Sequence, residues 1–297
     1  MNRRPEVLVA GYGQMGHAMQ ALLAERSALE VWDVTPGDTT PPAAILAAAL
    51  RVEFLLLCVP TPALADVLGP LVGRLPAACG VLSIAKGVDA EGDTAAELLG
   101  RRRGMGAWGV LGGPMIAAEL SAGRIGFAEF GGPDPALYAR TAALFRGSGL
   151  ALVHTPEARA VSWCGVLKNI YAPLVGIVDG AGWGENARGH LVMTVVAEMQ
   201  RLIAELLGPG ASAYGEAGLA DFVTTVTSAS SHHHALGLRV ARGDFTQMQC
   251  EGTHSLSVLV RKPRFAAEPY PLFRIAAGLV LAPAGVPAAL KGWFSVG

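Results

Sequence analysis

Short apolar runs alternate with Ala/Leu-rich stretches of helix length through the first half of the chain. The runs are EVLVAG (Glu6–Gly11), LEVWDV (Leu29–Val34), EFLLLCV (Glu53–Val59), GVLSIA (Gly80–Ala85), GAWGVLG (Gly106–Gly112), GFAEFG (Gly126–Gly131) and LALVHT (Leu150–Thr155). Runs of this length without polar alternation predict strands buried on both faces, and helices between them predict βαβ units of a parallel-rich sheet. After about Pro156 the alternation stops. Long helical patterns follow over Glu157–Val178, which Pro173 should kink, and Asn186–Leu207, then several shorter ones. The expected organisation is an α/β Rossmann-type domain over residues 1–156 and an all-α domain over 157–297, packed closely enough for a cleft between them to hold a site.

Composition narrows the function classes. The 297 residues are 52% hydrophobic and balance 23 Lys and Arg against 24 Asp and Glu, with no dense basic stripe, so nucleic acid is not an expected partner. Cys58, Cys79, Cys164 and Cys250 lie far apart without a CxxC pair and read as free thiols in a reducing cytoplasm. The Arg3-Arg4 pair is followed by a strand and glycine turn rather than a cleavage site. The apolar stretch Ile275–Leu290 is shorter than a membrane span and interrupted by Pro283 and Pro287, so no membrane partner is expected either.

The sequence VLVAGYGQMGHAM puts Gly11, Gly13 and Gly16 in GxGxxG spacing directly after the first strand and at the start of a helix. The first glycine permits a tight turn, the second lets a pyrophosphate approach the backbone, and the third lets helix and strand pack. Asp33 ends the second strand about 20 residues later, where a carboxylate can accept hydrogen bonds from the adenosine ribose, which favours NAD over NADP. A turn aspartate is the plain alternative. Three polar residues then stand out: Lys86 at the end of a buried strand, Lys168 beside Asn169 in an apolar helix, and Asp221 among apolar neighbours. A helix lysine usually snorkels to the surface. Beside a nicotinamide site it can instead stabilise an alkoxide and deliver its proton, with burial and a second cation lowering its pKa.

The segments GYGQMGHAM, CVPTPAL, IAKGVD, LGGPMIAAEL, GVLKNIYAPLVGIVDGAGWGENARGHLVMTVVAEMQRL and GEAGLADFVTTVTS, in that order, resemble the NAD(P)-dependent glycerol-3-phosphate dehydrogenase family. The resemblance implies a 6-phosphogluconate-dehydrogenase-like arrangement of a Rossmann-type domain followed by a helical one. It implies interconversion of dihydroxyacetone phosphate and sn-glycerol 3-phosphate. By position it makes Lys168 the general acid/base, Lys86 the substrate-polarising lysine that also adjoins cofactor, and Asp221 and Asn169 parts of the substrate site. It assigns Gln14, Met15, Val59, Pro60, Ala117 and Glu251 to the cofactor side, and Gly113 and Ser231 to the substrate side.

Two departures loosen the substrate assignment. Where the family has Ser-Arg-Asn, this chain has Ser231, His232 and His233, so an imidazole replaces a permanent guanidinium grip on phosphate. Met115 stands where the family has a small hydroxyl residue, which removes a hydrogen bond from the substrate side. Two readings stay open: turnover of dihydroxyacetone phosphate with His232 or His233 protonated or another cation in place of the arginine, or, slightly favoured, a different small hydroxy or keto compound, with or without the phosphate. Solvent-facing helix histidines are the plain alternative, one that suits His234 better than His232. A metal site is not expected, because adjacent helix residues point roughly 100° apart. A β-hydroxyacid dehydrogenase or imine reductase, and a catalytically silent NAD-binding protein, are the alternatives. A homodimer is the expected assembly.

Overall fold

The computed structural model describes residues 4–33, 47–102 and 104–295. Arg3, and Val34 at the end of the second predicted strand, lie outside the described residues. The chain divides into two compact units, Met1–Ala85 with Thr94–Ser162 and Lys86–Asp93 with Trp163–Gly297. This differs from a single boundary at residues 156/157, and local bonding explains both departures. Ser162 accepts a hydrogen bond from the Ala96 N–H and Arg159 pairs with Glu97, which ties the start of the first long helix to the first unit. Segment 86–93 is tied to the second unit through Val88 N–H to Ser255 Oγ, Asp93 to Arg264 and Glu91 to Lys262.

In the first unit, β1 (Glu6–Ala10), β2 (Ala28–Trp32), β3 (Phe54–Leu57), β4 (Gly80–Ser83), β5 (Trp108–Gly112), β6 (Gly126–Gly131) and β7 (Leu150–Thr155) form one sheet in the order β2-β1-β3-β4-β5-β6-β7. Strands β1 to β5 run parallel, β6 runs antiparallel to β5, and β7 parallel to β6. The Leu/Val runs of β3 and β4 are buried throughout, as their composition predicts. Strands β2 and β7 are not: each lies at a sheet edge with a strand on one side only, and alternate residues reach solvent. Helix α1 (Gln14–Leu23) lays Ala18, Met19, Leu22 and Leu23 into the same core as Val7, Val9 and Leu56. Helices α2 (Leu64–Leu68), α3 (Ala95–Arg101), α4 (Ala117–Ser121) and α5 (Pro135–Phe145) follow in this unit.

The second unit is built on α6 (Ala158–Gly180), of which the residues from Trp163 on belong to it. Residues 160–178 are all buried, so the helix, though long and apolar enough to cross a membrane, is a core helix. It continues unbroken through Pro173. Helices α7 (Glu185–Leu207), α8 (Asp221–Thr227), α9 (His232–Ala241), α10 (Glu251–Arg261), α11 (Pro271–Leu281) and α12 (Val286–Phe294) follow. The apolar stretch Ile275–Leu290 is divided between α11, a short 3₁₀ turn at Pro283–Gly285 and α12.

Glycines let neighbouring segments sit directly on α6. A Cβ on Gly165 would lie 3.2 Å from the Lys86 Cβ, one on Gly252 of α10 would lie 2.3 Å from the Asn169 carbonyl oxygen, and one on Gly237 of α9 would lie 2.0 Å from the Pro173 carbonyl oxygen. The last two are backbone approaches that a side chain would block, and the first is a tight contact with the Lys86 stem.

Candidate active site

In the first unit the three motif glycines have three separate jobs. Gly11 has φ +99°, and a Cβ there would lie 2.6 Å from the Cys58 carbonyl oxygen and 2.8 Å from Val59 Cγ1. That close passage joins the C-terminal ends of β1 and β3, where strand order reverses and open α/β sheets bind ligands. A Cβ on Gly16 would lie 2.1 Å from the Gly11 carbonyl oxygen, so only glycine lets α1 start so close to the turn. Around Gly13 nothing lies within 4 Å of a Cβ position, which leaves its backbone open to a ligand. Helix α1 has neither a side-chain cap nor an acidic residue in its first turn, so its free N–H groups and positive dipole end suit a pyrophosphate.

Gln14 is exposed and Met15 half-buried in that first turn. The Gly11 N–H donates to the Trp32 carbonyl at 2.8 Å, which places Asp33, the next residue, beside the glycine turn. Pro60 is exposed just beyond Val59. Ala117 opens α4, which packs against α1. These residues fit the dinucleotide end of a site.

Met115 and Gly113 belong to this first unit as well. Met115 is only 6% exposed and packs into the sheet core with Leu111, Leu120 and Phe130. This corrects the expectation that it contacts substrate: a thioether sealed among apolar side chains is a core residue. Gly113, at φ +147°, holds a backbone approach of 2.5 Å between a Cβ position and the Phe127 carbonyl oxygen, a structural demand sufficient to require glycine.

The chemical residues gather in the second unit. Lys86 lies three residues beyond β4, in segment 86–93, rather than on the strand itself. Its Nζ donates to Asp221 Oδ2 at 2.6 Å, while Lys168 Nζ lies 3.4 Å from Asp221 Oδ1 and donates to Thr225 Oγ1 at 2.8 Å. Thr225 Oγ1 in turn donates to the Asp221 carbonyl at 2.7 Å. One buried carboxylate therefore holds two ammonium groups, and the Thr225 hydroxyl fixes the second. A π-helical turn at Glu216–Ala220 leads directly into Asp221, the kind of irregularity that recurs at functional positions.

Burial pushes the Lys168 ammonium down to about 8, and the neighbouring Lys86 charge acts in the same direction against the pull of Asp221. A lysine so placed gives up and regains its proton close to neutral pH. Asn169, 2% exposed, donates through Nδ2 to the Lys86 carbonyl at 3.3 Å and to Glu251 Oε2 at 3.4 Å. The Lys86 carbonyl can only accept, which fixes the amide orientation. Its Oδ1 is sealed and has no partner among the described residues. Burial raises the Glu251 carboxyl above its ordinary range, opposed by Lys168 and Lys86.

The three histidines diverge. His232 is exposed, His233 buries Nδ1 against Gly252, and His234 Nε2 meets Asp179 Oδ2 at 2.7 Å. His234 is therefore not the solvent-facing one; Asp179, also held by Arg188 Nε at 2.7 Å, draws it inward. Ser231 caps α9, its hydroxyl accepting from the His234 N–H at 3.2 Å. Thr225 is the site residue that motif reading missed. Its position one helical turn after Asp221, on the same face, was the available signal.

With this geometry in place, the comparisons with known proteins decide the family. The model of the NAD-dependent glycerol-3-phosphate dehydrogenase C-terminus matches residues 157–278. The glycerol-3-phosphate dehydrogenase (NAD(P)+) of Thiobacillus denitrificans is 32% identical over 265 residues, covering 80% of this chain and 80% of that enzyme. That of Gluconobacter oxydans is 30% identical over 263 residues, covering 82% and 80%. This chain belongs to the NAD(P)-dependent glycerol-3-phosphate dehydrogenase family. The Deinococcus radiodurans member is 31% identical over 217 residues, a match spanning 71% of this chain and 65% of that enzyme, just under two thirds of its length. Among solved structures, the glycerol-3-phosphate dehydrogenase of Coxiella burnetii shares the fold with a TM-score of 0.86 at 21% identity, covering 98% of this chain and 99% of that one. Family membership favours the glycerol-3-phosphate dehydrogenase reading over the β-hydroxyacid dehydrogenase and imine reductase alternatives.

Proposed function

We propose that this family member transfers hydride between a nicotinamide dinucleotide and a small ketone or secondary alcohol of the size of dihydroxyacetone phosphate or glycerol 3-phosphate. Lys168 serves as general acid/base. The observation that carries the reading is the Lys168–Asp221–Lys86 cluster. A sensor that merely binds NAD needs no buried lysine whose proton is labile near neutrality. A nicotinamide, when bound, would supply or take the hydride. The Lys168 ammonium donates a proton to the carbonyl oxygen as that oxygen gains charge, and regains it from the alcohol in reverse. Lys86 stabilises the same developing charge, and Asp221 keeps both lysines oriented. Gly11, Gly13, Gly16 and the first turn of α1 would hold the pyrophosphate.

The position of Asp33 supports NAD over NADP, because a carboxylate accepts from ribose hydroxyls and repels a 2′-phosphate. Asp33→Ala should weaken NADH binding about tenfold while leaving NADPH binding unchanged or improved, read by fluorescence titration. An unchanged preference would remove Asp33 from the cofactor site. The free thiols, with burial pushing Cys58 up to about 12 and Cys79 to about 11, suit a reducing cytoplasm. The Ala/Leu-rich helical half suits a homodimer. The reaction itself is tested by loss of NADH absorbance with dihydroxyacetone phosphate, dihydroxyacetone and a panel of other small ketones. Turnover of at least one three-carbon ketone is expected. Cofactor binding without turnover across the panel contradicts the proposal.

A further inference from the structure

The Asp221 carboxylate reaches both ammonium groups because of where the π turn before it ends, and that turn rests on Ala213. The Ala213 carbonyl oxygen accepts from the Leu219 N–H at 2.7 Å, and a Cβ on Gly218 would lie 2.0 Å from the same oxygen, so the turn sits directly against it. Within the turn the Ala220 N–H reaches the Gly215 carbonyl at 3.4 Å, a bond that spans five residues rather than four. Such turns are uncommon, and Ala213 gives this one a hold from outside.

Ala213 is held in turn by Gln200 of α7. The Gln200 amide makes two bonds to the loop between α7 and the π turn: Nε2 donates to the Ala211 carbonyl at 3.0 Å, and Oε1 accepts from the Ala213 N–H at 2.7 Å. A carbonyl can only accept and an N–H only donate, so the orientation of this amide is fixed. Ala211 and Ala213 are 3% and 0% exposed, so both backbone groups lie in buried residues and lose their partner with the amide. Cys164 Sγ, one turn before Lys168 on α6, lies 3.7 Å from the Ser212 carbonyl oxygen, which ties the same loop to the helix that carries the acid/base. Beyond the Gln200 amide, every step from Ala213 to Asp221 is a backbone contact.

We infer that Gln200 is a positioning residue of this enzyme: its amide holds Ala213, Ala213 holds the π turn, and the turn sets the Asp221 carboxylate between Lys86 and Lys168. This rests on the dehydrogenase reading above and adds a residue that acts on the proton donor from outside the charged cluster. Asp221 on α8, Lys86 in segment 86–93 and Glu251 at the start of α10 act on Lys168, which acts in turn on the His233 imidazole of α9. Burial lowers the Lys168 pKa, and Asp221 is the largest pull upward. Drawing that carboxylate away therefore lowers the pKa further, and the ammonium is lost at a lower pH.

The test is steady-state NADH oxidation by the full chain with the best substrate among dihydroxyacetone, dihydroxyacetone phosphate and hydroxyacetone, using wild type, Gln200→Met, Gln200→Glu and Gly218→Ala. Gln200→Met keeps the bulk of the stem and loses both bonds. It should lower kcat about 10- to 100-fold and move the alkaline limb of kcat/KM for reduction down by roughly 0.5 to 1 in pH, with the NADH dissociation constant within about twofold of wild type. Gln200→Glu, which keeps an acceptor for the Ala213 N–H, should recover most of the limb's position. Gly218→Ala presses on the Ala213 carbonyl from the other side and should displace the limb in the same direction, so it reads out the same hold if Gln200→Met does not fold. In an Asp221→Asn background Gln200→Met should cost no more than about threefold in kcat. A limb left at its wild-type pH in Gln200→Met and Gly218→Ala, or an equal loss with and without the Asp221 carboxylate, makes Gln200 a stability residue only and overturns the inference while leaving the dehydrogenase reading intact. NADH binding with no oxidation by any of the three ketones overturns both.

Discussion

Lys168→Met should lower kcat about 10³-fold while leaving the dissociation constant for NADH within about twofold of wild type. Methionine keeps the length and apolar bulk of the buried stem, so the helix that carries residue 168 should stay packed. What is lost is the proton donor. The remaining ammonium on Lys86 is held by Asp221 at 2.6 Å and can stabilise charge, which is why some residual turnover is expected. Stopped-flow single-turnover measurement separates the chemical step from product release. An equal loss of NADH affinity would mean that Lys168 supports the cofactor rather than the proton transfer.

Glu198→Ala should be the most damaging single change to stability outside the site. Glu198, on α7, is 1% exposed and accepts from Tyr171 Oη at 2.8 Å and from the N–H groups of Leu272 and Phe273 at 3.1 and 2.7 Å. Those two N–H groups belong to the first turn of α11, which has no side-chain cap of its own. Tyr171 lies one turn beyond Lys168 on α6. A single buried carboxylate thus joins three helices. Burial raises its pKa while the three donors oppose that shift, so it remains a desolvated but fully bonded group. Its removal leaves three buried donors unpaired, a cost of about 3–5 kcal/mol, or a thermal midpoint lower by on the order of 10 °C. A midpoint within about 2 °C of wild type would show that water replaces the carboxylate without cost.

The strands were legible because a parallel sheet demands uninterrupted apolar runs. β6 and β7 coincide with the runs at Gly126–Gly131 and Leu150–Thr155. The reversal between β5 and β6 was not legible, since direction leaves no mark on a buried run. The glycine turn could be read residue by residue because each glycine answers a separate steric demand. Lys86, Lys168 and Asp221 stood out as charges in apolar surroundings, and the structure brings them onto one carboxylate. Met115 and His234 were misplaced for a shared reason: motif position says which segment a residue lies in, but not which way its side chain turns. Thr225 and Glu198 escaped notice because a threonine and a glutamate in amphipathic helices look ordinary until their partners, distant in sequence, are known.

The most direct measurement is the pH dependence of kcat/KM in both directions, which reports the free enzyme's acid/base group. Lys168 must be protonated to reduce a ketone, so reduction should fall as pH rises through about 8, and alcohol oxidation should rise through the same value. Both limbs should vanish from the residual activity of Lys168→Met. Profiles without a limb near 8 in either direction, or limbs that survive the substitution, would contradict Lys168 as the acid/base of this enzyme.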